Sequence, residues 1–489
     1  MNRQDAKDAK VEAKEDFATE GWPFDLKWLP DPAFMVGGAV RDALLQRRRE
    51  YLDLDFVMPE GAVKTARAIA SHYKAGFVLL DRDRQIARVV FKNATADFAQ
   101  QEGDSLQTDL LRRDFTINAI AYNPHTKELI DPLQGCADLQ RGIIRMVSPK
   151  NLQDDPLRLL RGYRQASQLG FVIEPQTRAA MQEFAPLLGQ IAAERVRVEL
   201  GYLLGSSEGT PWLLAAWEDG ILRWVLHDNI TDHNLELVAA VDQASAILAE
   251  NWPKLAEELA GGIPGLAGGK GSWSAIAKLA TLILPHTEAA APSPHPEAEP
   301  PLPRSQAQPG SETSEAQPRN SCGVGVSPAQ SIDGSSVTIN YTRSGISVEN
   351  ASVEDFLRAM KYSIPEIRGV TTILKCLPQL QASPMSLREE YFFFREAGVV
   401  FPALAVVAVA TGISVDKIAP LINRYLTPDD QVAHPTPLMT GKELMQALNL
   451  PAGPKIGWLL TEIQLARIEG KISTPAAAIK LASELLDTQ

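Results

Sequence analysis

The stretch from Phe34 to Met58, FMVGGAVRDALLQRRREYLDLDFVM, constrains the fold of this chain more than any other. It reads as a strand, a tight turn at Gly37 and Gly38, a short helix and a second strand. Glycine lets the backbone approach a ligand closely, and a helix that starts at the turn directs its N-terminal N–H groups at whatever lies there. The stretch therefore predicts a mixed α and β unit with a phosphate site at its turn.

Asp53 and Asp55 lie two residues apart on the second predicted strand. Side chains alternate between the two faces of a strand, so both carboxylates project from one face and repel each other. A divalent cation relieves this repulsion, and Mg²⁺ prefers such oxygen ligands while it keeps substrate phosphates in its shell. A plain turn and a solvated strand edge would explain the two features separately. Together they favour a nucleotidyltransferase.

The order GG-x-V-R-D followed by D-x-D resembles the family of class II tRNA nucleotidyltransferases and bacterial poly(A) polymerases. The matching residues are Gly37, Gly38, Arg41, Asp42, Asp53 and Asp55. The resemblance implies that Gly37, Gly38 and Arg41 hold the triphosphate of a nucleotide. It also implies that Asp53 and Asp55 are the catalytic acids and hold two Mg²⁺ ions.

The composition is that of a protein with several domains and no secretion signal. At 489 residues the chain can bury large cores. It has no run of about 18 apolar residues, and its charged N-terminus does not resemble a signal peptide. Three widely spaced cysteines predict neither a disulfide framework nor a structural zinc site. We therefore expect a cytoplasmic protein that does not bind a membrane.

The net charge of −12 argues mildly against a nucleic-acid partner, but the charge is distributed unevenly. Residues 34–165 contain 20 Lys and Arg against 17 Asp and Glu, so the acidic excess lies in the rest of the chain. Arg47, Arg48 and Arg49 could contact RNA phosphates or could form a solvated helix end. The segment thus remains compatible with RNA binding.

Residues 63–75 carry apolar residues at helical spacing, and three strand candidates follow, FVLLD, ARVVF and ATADFA. This alternation predicts an α+β head over residues 26–165, with a small mixed sheet and helices on one side, after a loose terminus of residues 1–25. Asp97 lies on the last of these strands. It could be a third metal-binding acid or an ordinary edge-strand aspartate.

The run LRRDFTINAIAYN, residues 111–123, reads as a helix whose start carries Arg112 and Arg113, guanidinium donors for phosphate or ribose oxygens. A salt-bridged helix start would explain the run if it stood alone, but RRDFTINA is similar to the second signature of the same family. The resemblance implies that Arg112 and Asp114 fix the ribose, with Asn118 beside them. Residues 130–147 resemble the connecting motif of the family, to which we assign only a positioning role.

Residues 153–165, QDDPLRLLRGYRQ, read as a helix with Asp154 and Asp155 in its first turn, where acids complement the helix dipole. Asp155, Arg158 and Arg161 follow at i, i+3 and i+6, either as an exposed ion pair or as donors and acceptors for a nucleotide. In the family this stretch acts as an amino-acid template that selects C and A. Asp155 and Arg158 match its pattern, and Asp154 replaces the usual glutamate.

Beyond residue 165 the pattern is helical apart from one insert. We predict a helical neck and body over 166–285, a disordered Pro/Ser-rich insert over 286–348 and a helical body and tail over 349–489. The resemblance covers residues 34–225 closely and 350–480 more weakly. It implies that the helical parts bind tRNA.

The family's activity is template-independent addition of nucleotides to the 3′ end of tRNA, from CTP and, in some members, ATP. Full CCA-adding relatives carry a long basic loop before the second signature, whereas only residues 98–111 separate Asp97 from Arg112 here. Within the family a short loop marks enzymes that add two C residues and leave A to a separate A-adding enzyme. We therefore expect CC addition. Full CCA addition, A addition and poly(A) synthesis are the alternatives, and the acid pair disfavours a catalytically idle RNA-binding protein.

Overall fold

A computed structural model describes residues 21–47, 51–226, 229–263, 272–285, 340–342, 345–347, 352–382 and 384–487. The described residues up to Leu284 and from Asn340 onward belong to one compact unit. Most of the insert predicted at 286–348 lies outside the described residues. Near its end, strands Asn340–Thr342 and Gly345–Ser347 pair as an antiparallel hairpin, where no regular structure was expected.

The head is built on one seven-stranded mixed sheet. Its strands are β1 Phe34–Val36, β2 Leu52–Met58, β3 Gly76–Asp81, β4 Ile86–Val90, β5 Ala94–Gln100, β6 Ala121–Asn123 and β7 Glu128–Ile130. They lie in the order β3-β4-β5-β2-β1-β6-β7. Strands β2 and β5 pair in parallel, and the other neighbours pair antiparallel. The three strands predicted after residue 75 are confirmed as β3, β4 and β5.

Strands β2 and β5 lie near the centre of the sheet, and their register sets the site. Phe56 and Phe98 are in register and fully buried, and their rings stack with centroids 5.4 Å apart. On the other face the same register places Asp55 beside Asp97. The alternation of a strand therefore buries the aromatic face and leaves the acids on the opposite side.

Six helices complete the head and its junction with the neck. They are α1 Gly38–Leu44, α2 Ala62–Tyr73, α3 Leu106–Leu111, α4 Gly135–Arg141, α5 Pro149–Asp154 and α6 Leu157–Leu169. Helix α2 confirms the helix predicted over 63–75. It packs against β4 and β5, and its residues Ala66 and Ile69 are buried. A short parallel pair, β8 Ile143–Ile144 with β9 Val172–Ile173, follows α4.

The helix predicted over residues 111–123 is wrong. Helix α3 ends at Leu111, Thr116–Asn118 form one 3₁₀ turn, and the apolar run continues as β6. The Asp114 carboxylate accepts the backbone N–H of Phe115 at 2.8 Å, a local bond that competes with helix formation. Strand β6 pairs on both sides, so its side chains are buried and show no alternation that would distinguish a strand from a buried helix.

Asp154 and Asp155 do not lie in the first turn of a helix, contrary to the prediction. Asp154 is the last residue of α5, and Asp155 follows it with an extended backbone, φ −140° and ψ 90°. Pro156 explains the break, because proline disfavours the helical conformation for the residue before it. Helix α6 then begins at Leu157.

The rest of the described chain is helical, as predicted. Its helices are α7 Pro175–Phe184, α8 Ala193–Leu204, α9 Thr210–Glu218, α10 Asp232–Asn251, α11 Pro253–Ala260, α12 Trp273–Leu282, α13 Val353–Ala359, α14 Ile364–Gln381, α15 Leu387–Ala397, α16 Phe401–Ala410, α17 Val415–Tyr425, α18 Gly441–Leu448, α19 Pro454–Ile468 and α20 Pro475–Asp487. Gly453 precedes the proline that opens α19, as expected for a helix start.

One helical stretch of the described chain, Leu387–Ala410, is long and apolar enough to cross a membrane by composition. Of its most apolar window, 67% is buried inside the protein. Its second half, α16, is apolar on every side and packs against α10, α12 and α14. A core helix of a helical domain meets the same criterion.

Candidate active site

A pocket of about 650 Å³ lies where the glycine turn, β2, the segment after α3 and helices α6 and α8 meet. Eight of the predicted site residues line it, namely Gly37, Gly38, Arg41, Asp53, Asp55, Asp114, Asn118 and Arg161. Four others are not among its lining residues, namely Asp97, Arg112, Asp155 and Arg158. The structure thus brings the glycine turn and the acid pair together and leaves the predicted base-reading pair outside.

Gly37 is the point at which the charged groups of the pocket converge. It precedes α1 with φ +69°, a conformation that L side chains rarely adopt. A Cβ atom at this position would lie 3.3 Å from Nη1 of Arg113 and 3.5 Å from Oδ2 of Asp55. Glycine therefore allows the backbone, a guanidinium and a carboxylate to share one corner of the pocket.

Asp53 and Asp55 form the acid face of the pocket. Asp53 is exposed and accepts a hydrogen bond from Oγ1 of Thr95 at 2.6 Å. Burial, with the negative charges of Asp53 and Asp97, raises the pKa of Asp55 to about 7. Two carboxylates that repel each other on one strand face are a donor set that fits a divalent cation shared with phosphate oxygens.

Asp97 lies next to Asp55 in the sheet, but its carboxylate is already paired. Arg88 on β4 donates from Nε and Nη2 to its two oxygens, each at 2.7 Å. Among the described residues, no three His, Cys, Asp or Glu side chains form a group that could hold a metal ion. A cation on the acid face would therefore complete its shell with oxygens from the substrate or water.

A buried polar network lies beside the acid face and links α1, the segment after α3 and α6. Its members are Arg41, Asp42, Asp114, Asn118, Arg161 and Gln165. Arg41 donates to Oδ1 of Asp42 from Nε and Nη2, at 2.9 and 2.8 Å, and to Oδ1 of Asn118 from Nη1 at 2.8 Å. All three nitrogens of this guanidinium thus bond to protein oxygens.

Asp114 is the acceptor at the centre of the network. It receives hydrogen bonds from Nδ2 of Asn118 at 2.9 Å and from Nε and Nη2 of Arg161 at 3.0 and 2.9 Å. Burial alone would raise the pKa of Asp114. The charge of Arg161, the hydrogen bonds from Asn118 and Arg161 and the backbone bond from Phe115 instead hold this pKa well below its usual range.

The structure places Arg113, not Arg112, in the pocket. Arg112 pairs with Glu102 and its side chain is half-exposed. Arg113 lines the pocket, and its Nη2 donates to Oδ2 of Asp109 at 3.0 Å, while its buried Nε has no hydrogen-bond partner among the described residues. The sequence predicted both arginines as donors for phosphate or ribose oxygens, and of the two only Arg113 lines the pocket.

Asp155 and Arg158 bond to other parts of the protein. Nη1 of Arg158 donates to the backbone carbonyls of Arg112 at 2.8 Å and Asn151 at 3.0 Å. Nη2 of Arg195 donates to Oδ2 of Asp155 at 2.9 Å. Oδ1 of Asp155 is buried without a partner in the described part of the chain. The pair therefore lies at the junction of α5, α6 and α8.

Several lining residues were not predicted from the sequence. They are Trp22, Tyr51, Arg164, Gln165, Gln168 and Tyr202. On α6 the lining positions recur at helical spacing after Arg161, so the helix face could have been extended from that arginine. Tyr202 lies on α8, and no local pattern connects it to the head.

Three family models match the chain. A model for the poly A polymerase head domain matches residues 33–145. A model for a probable RNA and SrmB-binding site of polymerase A matches residues 170–229, and one for a putative domain 2 of tRNA nucleotidyltransferase matches residues 340–482.

Curated relatives match over nearly the whole chain. A CC-adding tRNA nucleotidyltransferase of Synechocystis sp. is 45% identical over 95% of this chain and 96% of its own length. An A-adding tRNA nucleotidyltransferase of Deinococcus radiodurans is 28% identical over 92% of this chain and 94% of its own.

Solved structures share the fold. A CCA-adding enzyme in complex with CTP matches with a TM-score of 0.61 and 19% identity, over 93% of this chain and 91% of that one. A Thermotoga maritima CCA-adding enzyme in complex with tRNA matches with a TM-score of 0.58 and 19% identity, over 93% and 91% of the two chains.

Proposed function

Because this chain belongs to the family of tRNA nucleotidyltransferases and poly(A) polymerases, we propose that it adds two C residues from CTP to the 3′ end of tRNA and releases pyrophosphate. One observation carries the transferase activity, namely that the glycine turn, the acid face and Arg113 converge in one pocket. The full-length likeness to a CC-adding enzyme supports the choice of CC addition.

The connection between β5 and α3 also supports CC addition. Only residues 101–105 lie between the two elements. The backbone N–H of Glu102 donates to Oδ1 of Asp109 at 3.1 Å, and the Glu102 carboxylate pairs with Arg112. A short connection bonded in this way is poorly suited to reshape the pocket for a second base, since such changes require a mobile loop.

The proposed mechanism is one of positioning, which dominates phosphoryl transfer. The turn at Gly37 and Gly38, with the guanidinium of Arg113, binds the triphosphate. Asp53 and Asp55 would hold the divalent metal. We propose that this metal is Mg²⁺ and that two ions bind. When bound, Mg²⁺ supplies charge neutralisation at the triphosphate and lowers the pKa of the RNA 3′-hydroxyl.

The remaining predicted residues shape the nucleotide site. Asp114 and Arg161 line the part of the site that receives the ribose. Arg41 and Asn118 hold α1 against the segment after α3 through the buried polar network. Arg112 contributes a backbone carbonyl that binds Arg158.

We propose that Asp155 and Arg158 read the base of the incoming nucleotide. For this, Arg158 must exchange its bonds to backbone carbonyls for bonds to the base, while Arg195 keeps Asp155 oriented. An Arg158→Ala variant would then discriminate less between CTP and UTP.

The partners that follow are tRNA and CTP, in the cytoplasm, with ATP as a substrate only if the full CCA end is built. A separate A-adding enzyme would act on the product. Such a division of work requires that the product ending in CC leave the enzyme.

The test uses one tRNA that lacks all three terminal nucleotides, incubated with CTP, with ATP and with both, and the products are sized on a sequencing gel. We expect two added nucleotides with CTP alone and the same product when ATP is present. A product three nucleotides longer that ends in A would refute CC-only addition. Long A tails on generic RNA would identify a poly(A) polymerase.

A further inference from the structure

Two tyrosine rings are exposed on the walls of the pocket. Tyr51 directly precedes β2 and is 46% exposed, and Tyr202 on α8 is 44% exposed. Exposed aromatic rings beside a cationic surface are what single-stranded nucleic acid binds, because every base has a face that can stack on them. The proposed mechanism uses neither ring.

Tyr202 is held in place by a largely buried ion pair. The guanidinium of Arg164 lies over its ring, 5.3 Å from the centroid, and Nε of Arg164 donates to Oε2 of Glu199 at 2.5 Å. Nη1 of Arg164 also donates to Oε1 of Gln168 at 2.9 Å. A cation fixed over the ring orients it and leaves the rest of its surface for a second stacking partner.

Tyr202 lies too far from the proposed base-reading pair to contact the same base. On α6, Arg164 follows Arg158 by six residues, which corresponds to about 9 Å at 1.5 Å per residue. On α8, Tyr202 follows Arg195, the partner of Asp155, by seven residues, or about 10 Å. Successive bases are separated by about 3.4 Å, so this end of the pocket belongs to a different nucleotide.

A second arginine of the same pocket supplies positive charge for an RNA backbone. Arg47 lines the same pocket, and its Nη1 donates to the backbone carbonyl of Gln168 at 2.9 Å, one turn beyond Arg164 on α6. A pocket that contains both an arginine and an exposed aromatic ring is suited to bind a nucleotide, because the ring can stack on the base while the guanidinium contacts the phosphate.

We propose that Tyr202 stacks on the 3′-terminal base of the RNA acceptor and, with Arg47 and Arg164, forms the acceptor half of the pocket. This inference rests on the proposed function, since it supposes that an RNA 3′ end enters the site. Tyr202 would thus contact the RNA acceptor. The incoming nucleotide, with its triphosphate and base, would contact the glycine turn, the acid face and the junction of α5 and α6.

The test compares Tyr202→Phe, Tyr202→Leu and Tyr202→Ala in the full-length protein. The matched control is Val198→Ala, because Val198 is 45% exposed one turn earlier on α8 and does not line the pocket. Steady-state C addition gives KM for CTP and KM for a tRNA that ends at the base before CCA. In a second measurement, 2-aminopurine replaces that terminal base and its fluorescence reports stacking on binding.

We expect Tyr202→Ala and Tyr202→Leu to raise KM for the tRNA about 5- to 150-fold, the range of one lost stacking contact, and to leave KM for CTP unchanged. They should also abolish the fluorescence quenching that the wild type, Tyr202→Phe and Val198→Ala show. An increase in KM for CTP alone, or wild-type behaviour of Tyr202→Ala, overturns the assignment. If the wild-type protein adds no C to any tRNA, the proposed function fails instead, so the two failures are distinguishable.

Discussion

Asp55 and Asp114 belong to one pocket, and their surroundings act on them in opposite directions. Around Asp55, burial and two neighbouring carboxylates raise the pKa to about 7, and Asp53 shares its strand face. Around Asp114, Arg161 and Asn118 supply donors that hold the pKa well below its usual range. The acid face carries repulsion that Arg113 and Arg88 offset only in part, whereas the network is satisfied by its own residues.

The contrast separates two kinds of role. A group left in an unfavourable electrostatic environment by its own protein is a candidate for ligand or metal binding, because a partner would relieve the cost. A buried carboxylate whose bonds are all made inside the protein stabilises the fold around the site. Substitutions on the acid face should therefore affect catalysis, and substitutions in the network should affect stability first.

The largest effect is expected on the acid face. Asp53→Ala and Asp55→Asn should each lower the rate of C incorporation more than 100-fold, because each removes a proposed metal ligand, whose loss costs several kcal/mol of transition-state stabilisation. Their thermal midpoints should equal or exceed that of the wild type, since one source of repulsion is gone. Retention of more than about a tenth of the wild-type rate by both variants contradicts the assignment.

The network should show the reverse behaviour. Asp114→Asn should lower the free energy of unfolding at pH 7 by about 1–3 kcal/mol, because the donors of Arg161 and Asn118 lose a charged acceptor. Urea unfolding measures this change. Asp154→Asn is the control, since Asp154 is exposed at the end of α5 and its pair with Lys150 at 3.6 Å is solvated.

The pH dependence of this difference has a defined sign. The folded-state pKa of Asp114 is lowered, so its carboxylate contributes stability above the unfolded-state value of about 3.9 and loses that contribution as the pH falls below it. The stability gap between the wild type and Asp114→Asn should thus be full at pH 7 and shrink below about pH 4. A gap that stays constant down to pH 3 would mean that the charge of Asp114 is not what stabilises the network.

The same contrast explains which parts of the site could be read from the sequence. Gly37, Gly38, Asp53 and Asp55 lie within one strand-turn-helix-strand unit, where spacing alone fixes their geometry. Five of the seven strands, β1 to β5, and the helical remainder followed from periodicity in the same way, whereas β6 was predicted as part of a helix and β7 was not predicted. Local pattern was enough wherever sequence neighbours are also spatial neighbours.

The buried polar network and the pocket wall formed by Tyr202 depend on tertiary contacts, which sequence spacing does not predict. Gln165 reaches Asn118 across 47 positions of the chain at 2.9 Å, and Tyr202 enters the pocket only because α8 packs on α6. Asp155 was wrongly predicted to lie in the first turn of a helix, where acids complement the helix dipole. That prediction left out the restriction that Pro156 imposes on the residue before it. Tertiary contacts decided the positions of Gln165 and Tyr202, whereas a local restriction decided the conformation of Asp155.

A smaller effect should come from Thr95, which supports the acid face without belonging to it. Thr95→Val keeps the shape of the side chain and removes the hydrogen bond to Asp53. We expect the Mg²⁺ concentration for half-maximal C addition to rise about tenfold, as for other residues that orient metal ligands, with the rate at saturating Mg²⁺ nearly unchanged. Thr95→Ser, which keeps the hydroxyl, should behave as the wild type. An equal loss in Thr95→Val and Thr95→Ser would point to packing instead.

The smallest effect is expected at Asp97, and it decides whether the acid face has two members or three. Both oxygens of Asp97 accept from Arg88, so its charge is compensated before any cation binds. Asp97→Asn leaves Arg88 without that partner beside the acid pair, and its positive charge should raise the Mg²⁺ requirement a few-fold. Adding Arg88→Leu removes the excess charge and should restore most of the loss. If Asp97 were a third ligand, the single variant would lose as much activity as Asp53→Ala, and Arg88→Leu would restore none of it.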